Sequence, residues 1–297
     1  MIIRELLGLA QQLVDSDSAA LDAELLLCYC LGKDRTYIYT WPEHDVAAPQ
    51  EQQFRALIER RQRGEPVAYL LGQRDFWSFT LAVDDSTLIP RPDTERLVEV
   101  ALELPISACA RVLDLGTGTG AIALALASEC SQWNVLGVDI ADAAVALAQR
   151  NATALAIDNV KFAQSDWFAN IAAQQFDLIV SNPPYIDAAD PHLAQGDVRF
   201  EPRRALVAAD HGLAALVAIT TRAQPYLKSG AWLLFEHGFA QGPALRTVLS
   251  QHGFDSICSW NDLGGRERVT GGRWREKNAG QKNDCRQQPE INEGAPQ

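Results

Sequence analysis

The chain has 297 residues, 47% of them hydrophobic and 22% charged, the make-up of a globular protein with ample material for a core. At roughly 150 residues per domain, that length suggests two domains. With 26 Lys+Arg against 38 Asp+Glu the formal net charge is −12, which argues against a protein whose affinity rests on neutralising many phosphates.

The N-terminal MIIRELLGLA lacks a signal-peptide layout, and no stretch reaches the roughly 18 apolar residues of a membrane span. A cytoplasmic protein without a membrane partner is expected. Apolar residues at helical spacing from Ile2 to Val14 predict a first helix. Ser16, Asp17 and Ser18 offer caps for a second over Leu21–Leu31, which Gly32 closes. A third spans about Pro49–Arg63 and is stopped by Gly64 and Pro66. Residues 1–72 are therefore expected to form a small helical domain. From Phe76 to Val83 the chain turns aromatic and β-branched, as in a strand or hairpin arm, and residues 73–90 form the linker. Ile89-Pro90-Arg91-Pro92 bars a helix until about Asp93.

Strands and helices then alternate. Strands are expected over Arg111–Leu115, Asn134–Asp139, Val160–Gln164, Phe176–Val180 and Ala231–Glu236, with helices over Ala121–Ser128, Ala141–Leu155 and Leu213–Tyr226. This alternation implies a mainly parallel sheet covered on both faces, so residues 91–274 are expected to be a Rossmann-like α/β domain. Residues 275–297 hold one isoleucine and no aromatic residue, and a disordered tail is expected there.

Two motifs carry chemistry. Asp114-Leu-Gly-Thr-Gly-Thr-Gly-Ala121 lies between a strand and a helix, where glycines let the backbone approach a ligand at a helix N-terminus. Asp139 closes the next strand about twenty residues on, placed to take the hydroxyls of a ribose. The loop alone fits either a nicotinamide dinucleotide or S-adenosylmethionine. Gly120 and Asp114-Leu115 resemble class I methyltransferases more than dehydrogenases, and Trp167 sits where such enzymes hold the adenine. The second motif, Asn182-Pro-Pro-Tyr185, follows the strand Phe176–Val180 and should face the same crevice. Its prolines have no N–H, so with the Asn182 oxygen the loop presents acceptors to a planar –NH2 group, and Tyr185 can lie against its face. Held so, an amino nitrogen is aimed at an electrophile, which a hydride-transfer enzyme has no need to do. The tetrapeptide alone does not separate methylation of adenine or guanine amines from methylation of glutamine amides.

The wider pattern resembles the protein-(glutamine) methyltransferases that modify class I peptide chain release factors. It is carried by Asp22–Leu27, Pro66–Gly72, Pro90–Glu95, Asp114–Gly120, Ser165–Phe168, Ser181–Tyr185, Gly196–Pro202 and Glu236–Gly238. The resemblance implies a class I S-adenosylmethionine-dependent methyltransferase domain with an N-terminal helical domain that grips the release factor, and methylation of the glutamine in its Gly-Gly-Gln motif. It implies that Gly116, Thr117, Gly118, Thr119, Gly120, Asp139, Trp167 and Asn182 hold the cofactor. Asn182, Pro183, Pro184 and Tyr185 would hold the substrate, with Asn182, Pro183 and Tyr185 catalytic. The alternative is a nucleic-acid amino-methyltransferase, against which the acidic charge counts; a third class is a cofactor-binding protein without catalysis.

No HExxH spacing or Cys/His cluster suggests a metal, and the six cysteines form no CxxC pair, so reduced thiols are expected. His237 is expected to pack rather than act as a base. Arg199, Arg203 and Arg204 are candidates for contacting substrate or for pairing with Glu201. A monomer without nucleic-acid partners is expected.

Overall fold

The protein is described by a computed structural model over residues 1–275; the expected disordered tail lies outside these residues but for Arg275. Five helices open the chain: α1 (Ile3–Leu7), α2 (Ala19–Leu31), α3 (Arg35–Thr40), α4 (Ala48–Gln62) and α5 (Val67–Leu71). They enclose a core of their own in which Ile3, Leu6, Leu26, Leu27 and Phe54 are fully buried. The first helix is shorter than its apolar spacing predicts. It tightens into a 3-10 turn at Gly8–Gln12, and Val14 points into solvent at 84% exposure. The hydroxyls of Ser16 and Ser18 do not cap α2; they donate to the Asp22 carboxylate at 2.7 and 2.8 Å, and that carboxylate also accepts from Arg61 Nε at 2.8 Å. Gly32 ends α2 in the expected left-handed conformation. Helix α3 was not foreseen, although Asp34 caps it by accepting from the Tyr37 N–H at 2.9 Å.

The aromatic stretch folds as a hairpin, β1 (Gln73–Phe76) with β2 (Phe79–Ala82), whose turn holds Trp77 at φ 56°. Phe76 and Leu81 sink into the core of the following domain. Asn151 clamps the hairpin there, its Oδ1 accepting from the Ala82 N–H at 2.9 Å and its Nδ2 donating to the Ala82 carbonyl at 3.1 Å.

The central sheet contains β3 (Arg111–Leu115), β4 (Asn134–Asp139), β5 (Val160–Gln164), β6 (Phe176–Ser181), β9 (Leu227–Glu236), β10 (Phe254–Asn261) and β11 (Glu267–Trp274), in the order β10-β11-β9-β6-β3-β4-β5. The five strands from β9 to β5 are parallel, and β10 and β11 are antiparallel at one edge. That edge and helix α11 (Gly242–Gln251) went unread in the sequence: β10 is half exposed and kinked by two register shifts, so it shows no clean alternation. Residues alternate between the faces. Val112, Leu178 and Leu234 pack with α6 (Pro92–Glu103) and α7 (Ala121–Glu129); Leu113, Ile179 and Leu233 pack with α10 (Ala214–Ala223) and α11. Helix α8 (Asp142–Leu155) joins β4 to β5. Past the sheet, β7 (Ile186–Asp187) pairs with β8 (Val207–Ala208), which follows the one-turn α9 (Arg203–Leu206).

Strand order runs outward from β3 through β4 to β5, then returns to β6 on the other side of β3. The loops after β3 and β6 thus flank a switch point, where open parallel sheets bind ligands. The Ser181 hydroxyl fixes this junction by donating to the Leu115 carbonyl at 2.7 Å.

Candidate active site

A cavity of about 280 Å³ opens at the C-terminal ends of β3, β4 and β6. Its floor is the glycine loop. The N–H groups of Gly116 and Thr117 both donate to the Val138 carbonyl, at 2.8 and 2.9 Å, which folds the loop back over β4. Gly116 and Gly118 have φ of +73° and +55°, and a Cβ on Gly116 would sit 3.5 Å from the Trp167 ring. Beneath the loop Asp114 is fully buried. Its Oδ2 accepts from the Thr117 hydroxyl at 2.6 Å, while Oδ1 has no partner among the described residues. Burial pushes this carboxyl up to about 7, against the pull of the Thr117 hydroxyl and the Ala123 N–H.

Asp139 is aimed by backbone alone: Oδ2 accepts from the Gly118 N–H at 3.0 Å and Oδ1 from the Ala141 N–H at 2.9 Å. Each oxygen keeps a lone pair for a further donor. Trp167 adopts φ 50°, a rare conformation for an aromatic residue, and its carbonyl accepts from the Ser165 hydroxyl at 2.8 Å.

The opposite wall is Asn182 with Pro184. Asn182 Nδ2 donates to Thr94 Oγ1 at 3.2 Å, so its Oδ1 remains the free acceptor. Tyr185 turns its hydroxyl away to donate to Glu236 Oε1 at 3.1 Å. The cavity therefore brings together Gly116, Thr117, Gly118, Thr119, Asp139, Trp167, Asn182 and Pro184. Gly120, Pro183 and Tyr185 do not line it. At Gly120 the reason is packing, since a Cβ would lie 3.0 to 3.1 Å from Phe162, Ala148 and Leu124.

Sequence reasoning missed the roof. Ser86, Thr87, Leu88 and Pro90, from the segment read as a linker, line the cavity with Arg91, Thr94 and Arg204. Glu201 pins this segment from below: its buried carboxylate accepts from the Ile89 N–H at 2.9 Å and pairs with Arg91. Burial pushes the Glu201 carboxyl up, while Arg91 and the Ile89 N–H hold it down. The partner of Glu201 is thus Arg91, whereas Arg204 donates to the Ser86 carbonyl at 2.8 Å and Arg199 to that of Arg63 at 3.4 Å. A further tie runs to the helical region: Arg61, holding Asp22, also takes Asp197 at 2.7 Å. The stiff Ile-Pro-Arg-Pro run was the signal for the roof, but its function is visible only with Glu201 in place. His237 lies outside the cavity, its Nδ1 donating to the Gly238 carbonyl at 2.9 Å and its Nε2 accepting from the Thr270 hydroxyl at 2.7 Å. Burial lowers its pKa, as suits a neutral structural ring.

This donor set suits a nucleoside with a charged tail. A carboxylate oriented for a diol, a flat indole, a left-handed glycine turn and the buried, unpartnered hydroxyl of Thr87 converge on one space. The fold and the site together define a class I, S-adenosylmethionine-dependent methyltransferase. The sequence profile of the PrmC N-terminal domain matches residues 6–72 and that of the methyltransferase small domain residues 94–222. The release factor glutamine methyltransferases of Shewanella oneidensis and Escherichia coli are each 54% identical to it over 264 residues. These alignments cover 89% of this chain and 92% and 95% of theirs. The chain belongs to the release factor glutamine methyltransferase family. A methyltransferase structure from Pyrococcus furiosus, 14% identical, shares the fold at a TM-score of 0.52 over 74% of this chain and 96% of that one. Among the described residues, no helix is long and apolar enough to cross a membrane.

Proposed function

We propose that this protein methylates the side-chain amide nitrogen of the glutamine in the Gly-Gly-Gln motif of class I peptide chain release factors, acting as a cytoplasmic monomer. The observation that carries this reading is the placement of Asn182 and Pro184 across one cavity from the glycine loop and Asp139. When bound, S-adenosylmethionine supplies a methyl group already activated as a sulfonium, so no metal or covalent intermediate is required. In this reading the backbone of Gly116–Thr119 receives the cofactor, Asp139 its ribose hydroxyls and Trp167 its adenine, above the tight packing at Gly120.

The chain's remaining task is to hold a poor nucleophile. In this reading Asn182 Oδ1 and the loop carbonyls accept the two amide hydrogens and the prolines keep N–H donors out of the loop; Pro183 and Tyr185, which do not line the cavity, would meet the amide plane only as the glutamine enters. Orientation and water exclusion supply the rate. Held this way, the nitrogen would face the methyl group that the bound cofactor would supply, with the C–S pair kept by the sulfonium sulfur, and its surplus proton would leave along one of the held N–H bonds toward the cavity mouth. Residues 1–72 grip the protein substrate, and residues 91–274 carry the chemistry.

The test is mass spectrometry of three incubations with methyl-labelled S-adenosylmethionine, holding release factor, ribosomal RNA or duplex DNA. One methyl on the Gly-Gly-Gln glutamine, with clean nucleic acids, is expected. Label in RNA or DNA with an unmodified release factor would overturn the reading in favour of a nucleic-acid amino-methyltransferase.

A further inference from the structure

Resting on the role proposed for Asn182, we infer that Thr94 and Glu236 are positioning residues that fix the direction in which the Asn182 amide points. Glu236 ends β9 at 1% exposure, with Oε1 engaged by the Tyr185 hydroxyl at 3.1 Å. Its Oε2 is buried without a hydrogen-bond partner among the described residues. Thr94, on α6 and 4% exposed, accepts from Asn182 Nδ2 at 3.2 Å, so its own hydroxyl proton remains to be given. The carboxylate beside it is that of Glu236, whose pKa the Thr94 hydroxyl pulls down. The inferred bond from the Thr94 hydroxyl to Oε2, which the structure leaves unmade, would satisfy both groups.

The consequence is a polarity. An ionised carboxylate only accepts, so in the inferred bond Thr94 donates to Glu236 and has only its lone pairs left to offer Asn182. The amide of Asn182 is thereby forced to spend its –NH2 on Thr94 and to turn Oδ1 toward the cavity. With a neutral partner in place of the carboxylate, the chain could run backwards, and Asn182 would present –NH2 to another –NH2. Burial raises the Glu236 carboxyl and Asp93 adds to that, while the two hydroxyls and the nearby Arg268 guanidinium pull toward its charged form. Arg268 is itself held by Asp93 at 3.3 Å and Asp262 at 3.4 Å. Glu236 holds the Tyr185 end of the loop directly and, through the inferred bond to Thr94, would secure the Asn182 end as well.

Four variants test this: Thr94→Val, Thr94→Ser, Glu236→Gln and the double Thr94→Val/Glu236→Gln, with kcat and KM on release factor read by mass spectrometry, cofactor Kd by calorimetry and folding by thermal melts. Thr94→Val is expected to lower kcat by about 10- to 100-fold at unchanged cofactor Kd and Tm. Thr94→Ser should stay within about threefold of wild type, because it keeps the hydroxyl. The double variant should be no worse than the poorer single one, as expected of members of one chain. Wild-type kcat in Thr94→Val, a Thr94→Ser as impaired as the valine variant, or multiplying effects would each overturn the inference. If Glu236→Gln unfolds, the two Thr94 variants decide. A wild-type enzyme that leaves release factor unmodified overturns the functional reading instead. The orientation is then still decided by NMR: the Asn182 side-chain amide protons should exchange slowly in wild type and faster in Thr94→Val, and equal exchange refutes it.

Discussion

The two walls of the cavity are built on different principles. The glycine-loop wall is local: Gly116–Thr119, Asp139 and Trp167 close three successive strands, and backbone N–H groups aim the one carboxylate. The wall around Asn182 is assembled from afar: Thr94 of α6 and Glu236 of β9 bond Asn182 and Tyr185 of the loop after β6, and Glu201, before α9, holds the roof by the Ile89 N–H. Strand ends can present backbone to a cofactor without help. A side-chain amide that must face one way needs partners recruited from across the chain.

Breaking the second wall should have the largest effect. Asn182→Ala is expected to cut methyl transfer by about 10³-fold with cofactor Kd intact, checked by mass spectrometry and calorimetry; a variant turning over near the wild-type rate removes the assigned mechanism. Next comes the floor beneath the first wall. The folded state raises the Asp114 carboxyl to about 7, so it favours the protonated form. That contribution to stability is full below about pH 4 and is lost as pH rises through about 7. Asp114→Asn has no such titration and should gain about 2–3 kcal/mol on wild type between pH 5 and pH 8 in thermal or urea melts. Equal pH dependence in the two proteins would contradict this.

Asp139→Ala sharpens the contrast from the cofactor side. Losing charged hydrogen bonds worth about 1.5–3 kcal/mol, it should weaken S-adenosylmethionine binding on the order of 10- to 100-fold, with kcat at saturation little changed. Unchanged affinity by calorimetry would refute the ribose role. The smallest effect is expected at the half-exposed tie between the helical region and the loop beyond Asn182. Asp197→Asn should raise KM for intact release factor about two- to threefold and leave cofactor Kd unaltered. A large loss of cofactor binding there would mean that the two walls are not separable.

What the sequence disclosed follows the same division. The parallel strands, the glycine loop and Asp139 were legible because apolar runs, glycines and a strand-end carboxylate lie close together in the chain. Asn182–Tyr185 was legible as a motif, but the direction of its amide was not, since Thr94 lies 88 residues away and Glu236 lies 51 residues from Tyr185. The roof from Ser86 to Pro90 reads as a linker because nothing local marks Glu201 as its anchor. The first helix was overextended because Val14 continues the apolar spacing while facing water.

That anchor also sets an order of assembly. The bonds that close the roof join residues 110, 112 and 118 positions apart, and the tie to the helical region spans 136. Contacts of such separation carry the greatest loop-closure cost and form only once the intervening strands exist. During synthesis the roof leaves the ribosome before the glycine loop it will cover, then waits for Glu201 and Arg204 to arrive. A fragment cut at the start of α6 would keep every cofactor residue named above and lose most of the lid over them, so a unit that carries the whole cavity must begin before Ser86.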